Sequence, residues 1–513
     1  MTVAIQTAQI PAKGGLNLSG NKQEMLKAPN LAEALVNFEA GLAGGYKQIK
    51  GYTKLNLTDI PGTGEILGVY KYKDGWIVCR GTTIYFGTDG TTWYKVNRNE
   101  VGVSLSDIDT SSATLPRVGQ GTYVFNSFRF GNTEKIVMTD GFSRPCVLTI
   151  TGDTPASYVV EYQEVVNDAL LDSVGNEVHL NQAYYYGASS EPHVVIHSNL
   201  LDPADVTGAT SGFFAVKDAV EGIRLFNKSL YVFTPTNISV VTGVDSGNTD
   251  VQPFADDVGC LRGSSLQELG GDIIFLAKDG VRTLKTAEAS DTTEASTISS
   301  VVNPLLVEFI RNIDLYNVTS TVIRDKNQYR LNFSKIGSDV DSDHIGFIGV
   351  LQQDGTWSWS TYNSHNISNL NGRYFGDYEG NIFELDSGNS FNGTDIKSTW
   401  ETPWVDLGNV GVRKGLHFIE LDMILSGAAS VNLDVEFDYN KTDIHNPERF
   451  EFNFETNSSV YGTAVYGVDS YQSFVPRFPK EYLEGSGHVI KLRFSASTQV
   501  DEWTMFGFAL SMT

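Results

Sequence analysis

The chain has 513 residues, and 61 acidic against 37 basic side chains leave a net charge of −24. That balance excludes a protein gripping nucleic acid through a basic face, because phosphate neutralisation supplies most of such affinity. Hydrophobic residues at 41% exclude wholesale disorder, and fifty glycines with 11% aromatics favour strands and turns over helices.

Residues 1–65 read as an arm preceding the regular part of the chain. Gly14-Gly15-Leu16-Asn17-Leu18 is a loop or extended segment, and residues 29–38 predict a short helical turn with Leu31, Leu35 and Phe38 on one side. Gly44 to Tyr52 predicts a turn and a strand. This arm is expected to be anchored on the repeats C-terminal to it and to help close their ring.

Residues 66–390 repeat one unit: a short apolar run, a tight turn and a second apolar run. The units start at Trp76, Lys135, Ala183, Leu230, Ile273, Gln328 and Tyr374, so the spacing runs from 43 to 59 residues. Strand-type runs at about 40–50 residues are the signature of β-propeller blades, which must stack around an axis because each buries too little alone. Six or seven blades are expected. Asp-Gly recurs at Asp74-Gly75, Asp89-Gly90, Asp140-Gly141, Asp279-Gly280 and Asp354-Gly355. The pair suits type I′ hairpin turns, where both central residues take positive φ. Trp93, Trp357 and Trp359 come just after two of these turns and are expected to fill the wedges between blades. One helix is predicted at residues 304–310, with Asn303 as its cap and proline in first position.

From residue 391 to 513 the repeat stops and strict alternation takes over. Residues 418–425, 431–439, 450–454 and 489–494 each alternate apolar and polar side chains. Period two marks strands with one wet face, and the segment predicts a C-terminal β-sandwich. The fold class is therefore all-β: a six- or seven-bladed propeller with an N-terminal arm (1–65) and a C-terminal sandwich (391–513).

Few residues suggest chemistry. Cys79, Cys146 and Cys260 are widely separated and odd in number, which fits buried thiols rather than a disulfide framework or a metal knuckle. HExxH, GxSxG and Walker-type motifs do not occur. His193 and His197 fall on one face of a predicted strand, without a third ligand nearby in sequence. Asp339, Asp341 and Asp343 have the D-x-D-x-D start of a calcium loop, but His344 comes next and no later acid completes it, so a solvated hairpin tip is the better reading. No cofactor is implied, and no enzyme is expected. The start of the chain lacks signal-peptide order, and no apolar run approaches the roughly 18 residues of a membrane span. Synthesis in a cytoplasm is expected.

Several stretches resemble one family. Gly14-Gly15-Leu16-Asn17, Val36-Asn37-Phe38-Glu39 and Gly45 to Tyr52 open the likeness. Lys228 to Phe233 with Val241-Thr242-Gly243, then Val258-Gly259-Cys260 with Phe275 to Val281, continue it. In order and spacing these resemble the tail-hub or nozzle proteins of short-tailed bacteriophages, also called packaged-DNA stabilisation proteins. The resemblance implies a structural virion protein, made in the host bacterial cytoplasm and residing in the tail. It would form a ring, a homohexamer, below the portal and the head-tail adaptor protein. It would extend the DNA channel, retain packaged DNA and connect to a tail fibre, spike or needle. DNA would only pass through, along an acidic lumen for which Asp245, Asp250, Asp256 and Asp257 are the candidate lining. The alternative reading is a carbohydrate-binding or glycan-processing propeller.

Overall fold

The computed structural model describes residues 6–96, 103–104, 117–152, 159–243, 249–288, 297–338, 340–408, 411–425, 429–441, 446–454, 478–498 and 502–513. Its centre is a β-propeller of antiparallel sheets, with six blades of four or more strands and one smaller, three-stranded sheet. Blade I comprises Ile66–Tyr72, Gly75–Arg80, Thr83–Gly87 and Tyr94–Val96. Blade II comprises Val124–Phe130, Thr133–Thr139, Cys146–Thr151 and Val159–Glu164, with the short Val103–Ser104 added at its edge. Blade III comprises Gly175–His179, Gln182–Tyr186, Val194–His197 and Gly212–Ala215, and blade IV Gly222–Phe226, Ser229–Phe233, Asn237–Thr242 and Asp250–Asp256. A three-stranded sheet (Gln267–Leu269, Asp272–Ala277, Gly280–Thr283) then occupies a place of its own in the ring. Blade V comes next, with Tyr316–Ile323, Gln328–Lys335, His344–Leu351 and Trp357–Asn363. In blade VI, Ile367–Asn371, Tyr374–Asp377 and Ile382–Leu385 take their fourth strand, Tyr52–Lys54, from the arm.

Each full blade alternates its side chains between two neighbours, so apolar clusters form between sheets. Leu67, Ile77, Cys79 and Phe86 of blade I pack with Phe125, Ile136, Cys146 and Leu148 of blade II. Ile66, Val69, Val78 and Tyr85 turn the other way and meet Ile382 and Tyr374 of blade VI. This two-sided burial is why the repeats read as continuous apolar runs rather than alternating ones. All three cysteines are free and buried.

The arm and the C-terminal region build a β-sandwich together. One sheet holds Ile396–Glu401, Ile490–Thr498, Ala429–Phe437 and Phe450–Phe454. Facing it, Trp503–Met512 pairs with Lys414–Leu425 on one side, and with Gln6–Pro11 and Tyr46–Gln48 on the other. The arm strand Ala34–Val36 joins the two halves of the molecule. It runs parallel to Trp357–Asn363 of blade V (Val36 opposite Thr361) and antiparallel to Ile396–Glu401. Blade V and one layer of the sandwich thus form a single nine-stranded sheet. The main core crosses the junction, with Leu35, Phe38, Trp359, Trp400, Phe494 and Trp503 in one cluster.

Four local expectations are corrected. Residues 34–40 are two short strands, not a helical turn; Asn37 breaks them with φ +58°, its amide donating to the Lys397 carbonyl at 2.7 Å. Pairing with two neighbouring strands outweighs the weak helical pattern of Leu31, Leu35 and Phe38. The helix Asn303–Arg311 is present, but Asn303 does not cap it; its side-chain amide donates to the Asp279 carbonyl at 2.8 Å. Three of the five Asp-Gly turns are also of another kind. Glycine is left-handed at Gly90, Gly141 and Gly355, while the aspartates keep negative φ and their carboxylates accept from the next amides along the chain. These are Asx-turns. Turns with positive φ at both central residues occur instead at Leu180-Asn181 and Asn227-Lys228. Trp359 lies in the junction core rather than between blades, its Nε1 donating to the Ile298 carbonyl at 2.7 Å, whereas Trp93 does pack near the seam of blades I and VI.

Candidate functional site

The first strand of each sheet is the innermost, and these strands are tied to one another by polar side chains. Tyr70 of blade I donates to Ser127 of blade II at 2.7 Å, and Asn126 of blade II to the Asn176 carbonyl of blade III at 2.7 Å. Glu177 of blade III pairs with Arg224 of blade IV at 3.2 Å, and Arg224 also donates to the Leu266 carbonyl beside the three-stranded sheet. Gln267 of that sheet donates to the Ser320 carbonyl of blade V at 3.0 Å. Asn317 of blade V donates to the Ser368 carbonyl of blade VI at 2.7 Å, and the Ser368 hydroxyl to the Ile66 carbonyl of blade I at 2.6 Å. Asn369 reinforces this last seam, accepting from the Val69 amide and donating to the Tyr123 carbonyl. The belt is continuous around the axis. It satisfies groups that burial would otherwise leave orphaned, and each link fixes the angle between two sheets.

A second polar cluster lies where arm, propeller and sandwich meet. Arg330 of blade V is fully buried, with Nη2 2.9 Å from Asp386 Oδ1 and 3.4 Å from Glu39 Oε2 of the arm. Lys326 Nζ lies 2.9 Å from Glu39 and 2.8 Å from Asp386. Gln328 donates to Glu39 at 2.9 Å and accepts from Arg330 at 3.1 Å. Arg373 Nη1 lies 4.0 Å from Asp386 Oδ2 and pairs with Asp325, so three cations meet three anions and the cluster is neutral. Burial pushes the Asp386 carboxyl up, but Arg330 and Lys326 outweigh it and hold the group below the usual carboxylate range. Sequence reasoning missed this cluster. Its one signal is that Glu39, Gln328 and Arg330 carry charge or amide groups inside strand-type runs, where side chains are expected to be buried.

The acidic candidates fall elsewhere. Asp250 and Asp256 are exposed on the fourth, outermost strand of blade IV, and Asp257 is exposed just beyond it; all three are on the blade's circumference, away from the propeller's own axis. Lys217 lies 3.5 Å from Asp256. Asp245 lies outside the described residues. Of the calcium candidates, Asp339 also lies outside them. Asp341 and Asp343 form a one-turn helix at the tip between two blade V strands. Asp343 is occupied: it accepts from Ser338 Oγ at 2.5 Å and Lys335 Nζ at 3.0 Å, bonds that hold its carboxyl below the ordinary range. His197 ends a blade III strand and lies 3.2 Å from the Gln182 amide, and burial lowers its pKa. His193 precedes that strand and is exposed. Among the described residues no cluster of three or more His, Cys, Asp or Glu could hold a metal.

No family model matches the chain, and no curated protein matches it. Solved structures show partial likeness. PorZ, an essential surface component of the type-IX secretion system of Porphyromonas gingivalis, aligns at 12% identity with a TM-score of 0.38, over 78% of this chain and 46% of that one. Raptor of Chaetomium thermophilum aligns at 6% identity with a TM-score of 0.37, over 68% and 30%. An exo-β-1,3-galactanase of Phanerochaete chrysosporium aligns at 13% with a TM-score of 0.26, over 90% and 100%. The chain spans less than half the length of the first two, and no function is taken from any of the three.

Proposed function

We propose that the protein is a structural component of a short-tailed bacteriophage tail: a hub or nozzle subunit that assembles as a ring and continues the DNA channel. In this reading it sits below the portal and adaptor, helps retain packaged DNA and carries a fibre, spike or needle. The observation that carries the proposal is the arm strand Ala34–Val36, which fuses blade V and the sandwich into one sheet beside a neutral ionic cluster. A subunit bearing load along an axis needs its domains held at a fixed angle, and a shared sheet does this more firmly than a flexible linker. The resemblance in the arm, at Gly14 to Asn17 and Gly45 to Tyr52, supports the same reading. So does the charge of −24. At ~10 Å, two unit charges in water repel by only about 0.4 kcal/mol, so acidic walls discourage DNA from adhering without blocking its passage.

Native mass spectrometry of the protein, alone and mixed with a portal–adaptor complex, tests the proposal. A closed ring on the adaptor is expected, together with density for this fold below the adaptor in images of the particle. A species that stays monomeric beside the adaptor and is absent from the particle overturns it.

A further inference from the structure

A cleft of about 500 Å³ opens where three segments distant in sequence meet: residues 12–14 and 40–46 of the arm, and the blade V turn at residues 352–358. That volume lies within the range of small-molecule sites. Its walls are held by their own hydrogen bonds. On one side the Gln352 amide donates to the Thr356 carbonyl at 2.9 Å, and Asp354 Oδ1 accepts from the Thr356 amide at 3.0 Å and hydroxyl at 2.6 Å. On the other, the Gly41 amide donates to the Gly45 carbonyl at 2.9 Å and the Gly44 amide to the Gly41 carbonyl at 3.0 Å. Gly44 is left-handed, and no atom lies within 4 Å of where its Cβ would stand, so this wall leaves room for a ligand to approach the backbone.

Three features define what the cleft would hold. Lys13 and Asp354 are the charged members of the lining and balance each other, which favours a neutral ligand over a phosphate or a cation. The amides of Gln352 and Gln353 offer both donors and acceptors. Trp357, half-buried, adds an apolar surface and is held against buried Trp359, ring centroids 6.1 Å apart at 27°. A preset aromatic surface, neutral amides and balanced charge complement a molecule with one apolar face and many hydroxyl groups. We propose that this cleft is a binding site for a neutral mono- or disaccharide. The inference stands independently of ring assembly.

The test uses the full chain, saturation-transfer NMR and calorimetry. The probes are glucose, galactose, N-acetylglucosamine and their β-linked disaccharides, with glucose 6-phosphate, glucosamine and trialanine as controls. At least one neutral sugar is expected to bind and change tryptophan emission. Trp357→Ala is expected to weaken that binding fivefold or more. Gln353→Ala, at an exposed turn position where folding is not at risk, is expected to weaken it at least threefold. Three outcomes overturn the proposal: no neutral sugar binds, trialanine or a charged sugar binds more tightly than every neutral one, or sugar binding survives Trp357→Ala and Gln353→Ala unchanged.

Discussion

Arg330 shows how one side chain can set the cost of separating three parts of a chain. Its guanidinium is fully buried between Asp386 and Glu39, so removing a partner strands a charge in a dry interior. Breaking such a pair typically costs about 3–5 kcal/mol. Asp386→Asn is therefore expected to lower urea stability by about that amount, and a loss below about 1 kcal/mol would show that water reaches the cluster. Acid should act at another residue. His344 is only 4% exposed, at the start of a blade V strand. Burial holds its pKa below the ordinary 6.5 and neighbouring His365 acts the same way, against the opposing pull of the Ser338 backbone, Asp343 and Asp341. The unfolded chain then binds a proton at pH values where the folded one does not. Its contribution to stability is complete above pH 6.5 and falls as pH drops through that value. Between pH 8 and 5 the urea midpoint of the wild type should fall more steeply than that of His344→Leu. Equal slopes would remove His344 from the account.

Ring closure depends on an element brought from the far end of the propeller's sequence. Tyr52–Lys54 completes blade VI, and the Tyr52 ring contacts His365, Phe375, Phe383 and Phe391 at centroid distances of 5.0 to 5.5 Å. Its hydroxyl lies 3.1 Å from His365 Nδ1. Truncating a large aromatic in such a cluster costs about 3 kcal/mol. Tyr52→Ala should lower the melting temperature and expose the strands of blade VI to limited proteolysis before those of blade III. Simultaneous cleavage of both blades would argue against a local seam. The blade hairpins themselves were legible, because two-sided burial writes runs such as Ile273 to Leu276 directly into the sequence. The arm was not legible in the same way. Leu35 and Phe38 are apolar for partners that lie some 320 to 460 residues away, and no local period records such pairing.

At the scale of the whole molecule, the nine-stranded sheet predicts cooperative behaviour. Blade V and the sandwich share strands and a core, so neither buries its apolar face without the other. Urea unfolding followed by tryptophan emission and by far-ultraviolet dichroism should give coincident transitions. Separated transitions would mean that the sandwich folds as an independent unit despite the shared strand. The ring proposed for the assembled state adds a test at higher concentration, since association with like copies stabilises by mass action.

The sequence by itself determined the all-β class, the hairpin repeat with its axial stacking, and the alternating strands of the C-terminal region. Each of these is a periodic pattern, and periodicity arises from which faces of a strand are buried. Only the tertiary structure decided that Tyr52–Lys54 closes the ring, that Ala34–Val36 welds propeller to sandwich, and that Glu39, Lys326, Arg330 and Asp386 meet. These contacts join residues from about sixty to more than three hundred positions apart, and their energies depend on distance and desolvation, quantities that come into being only when the chain has folded.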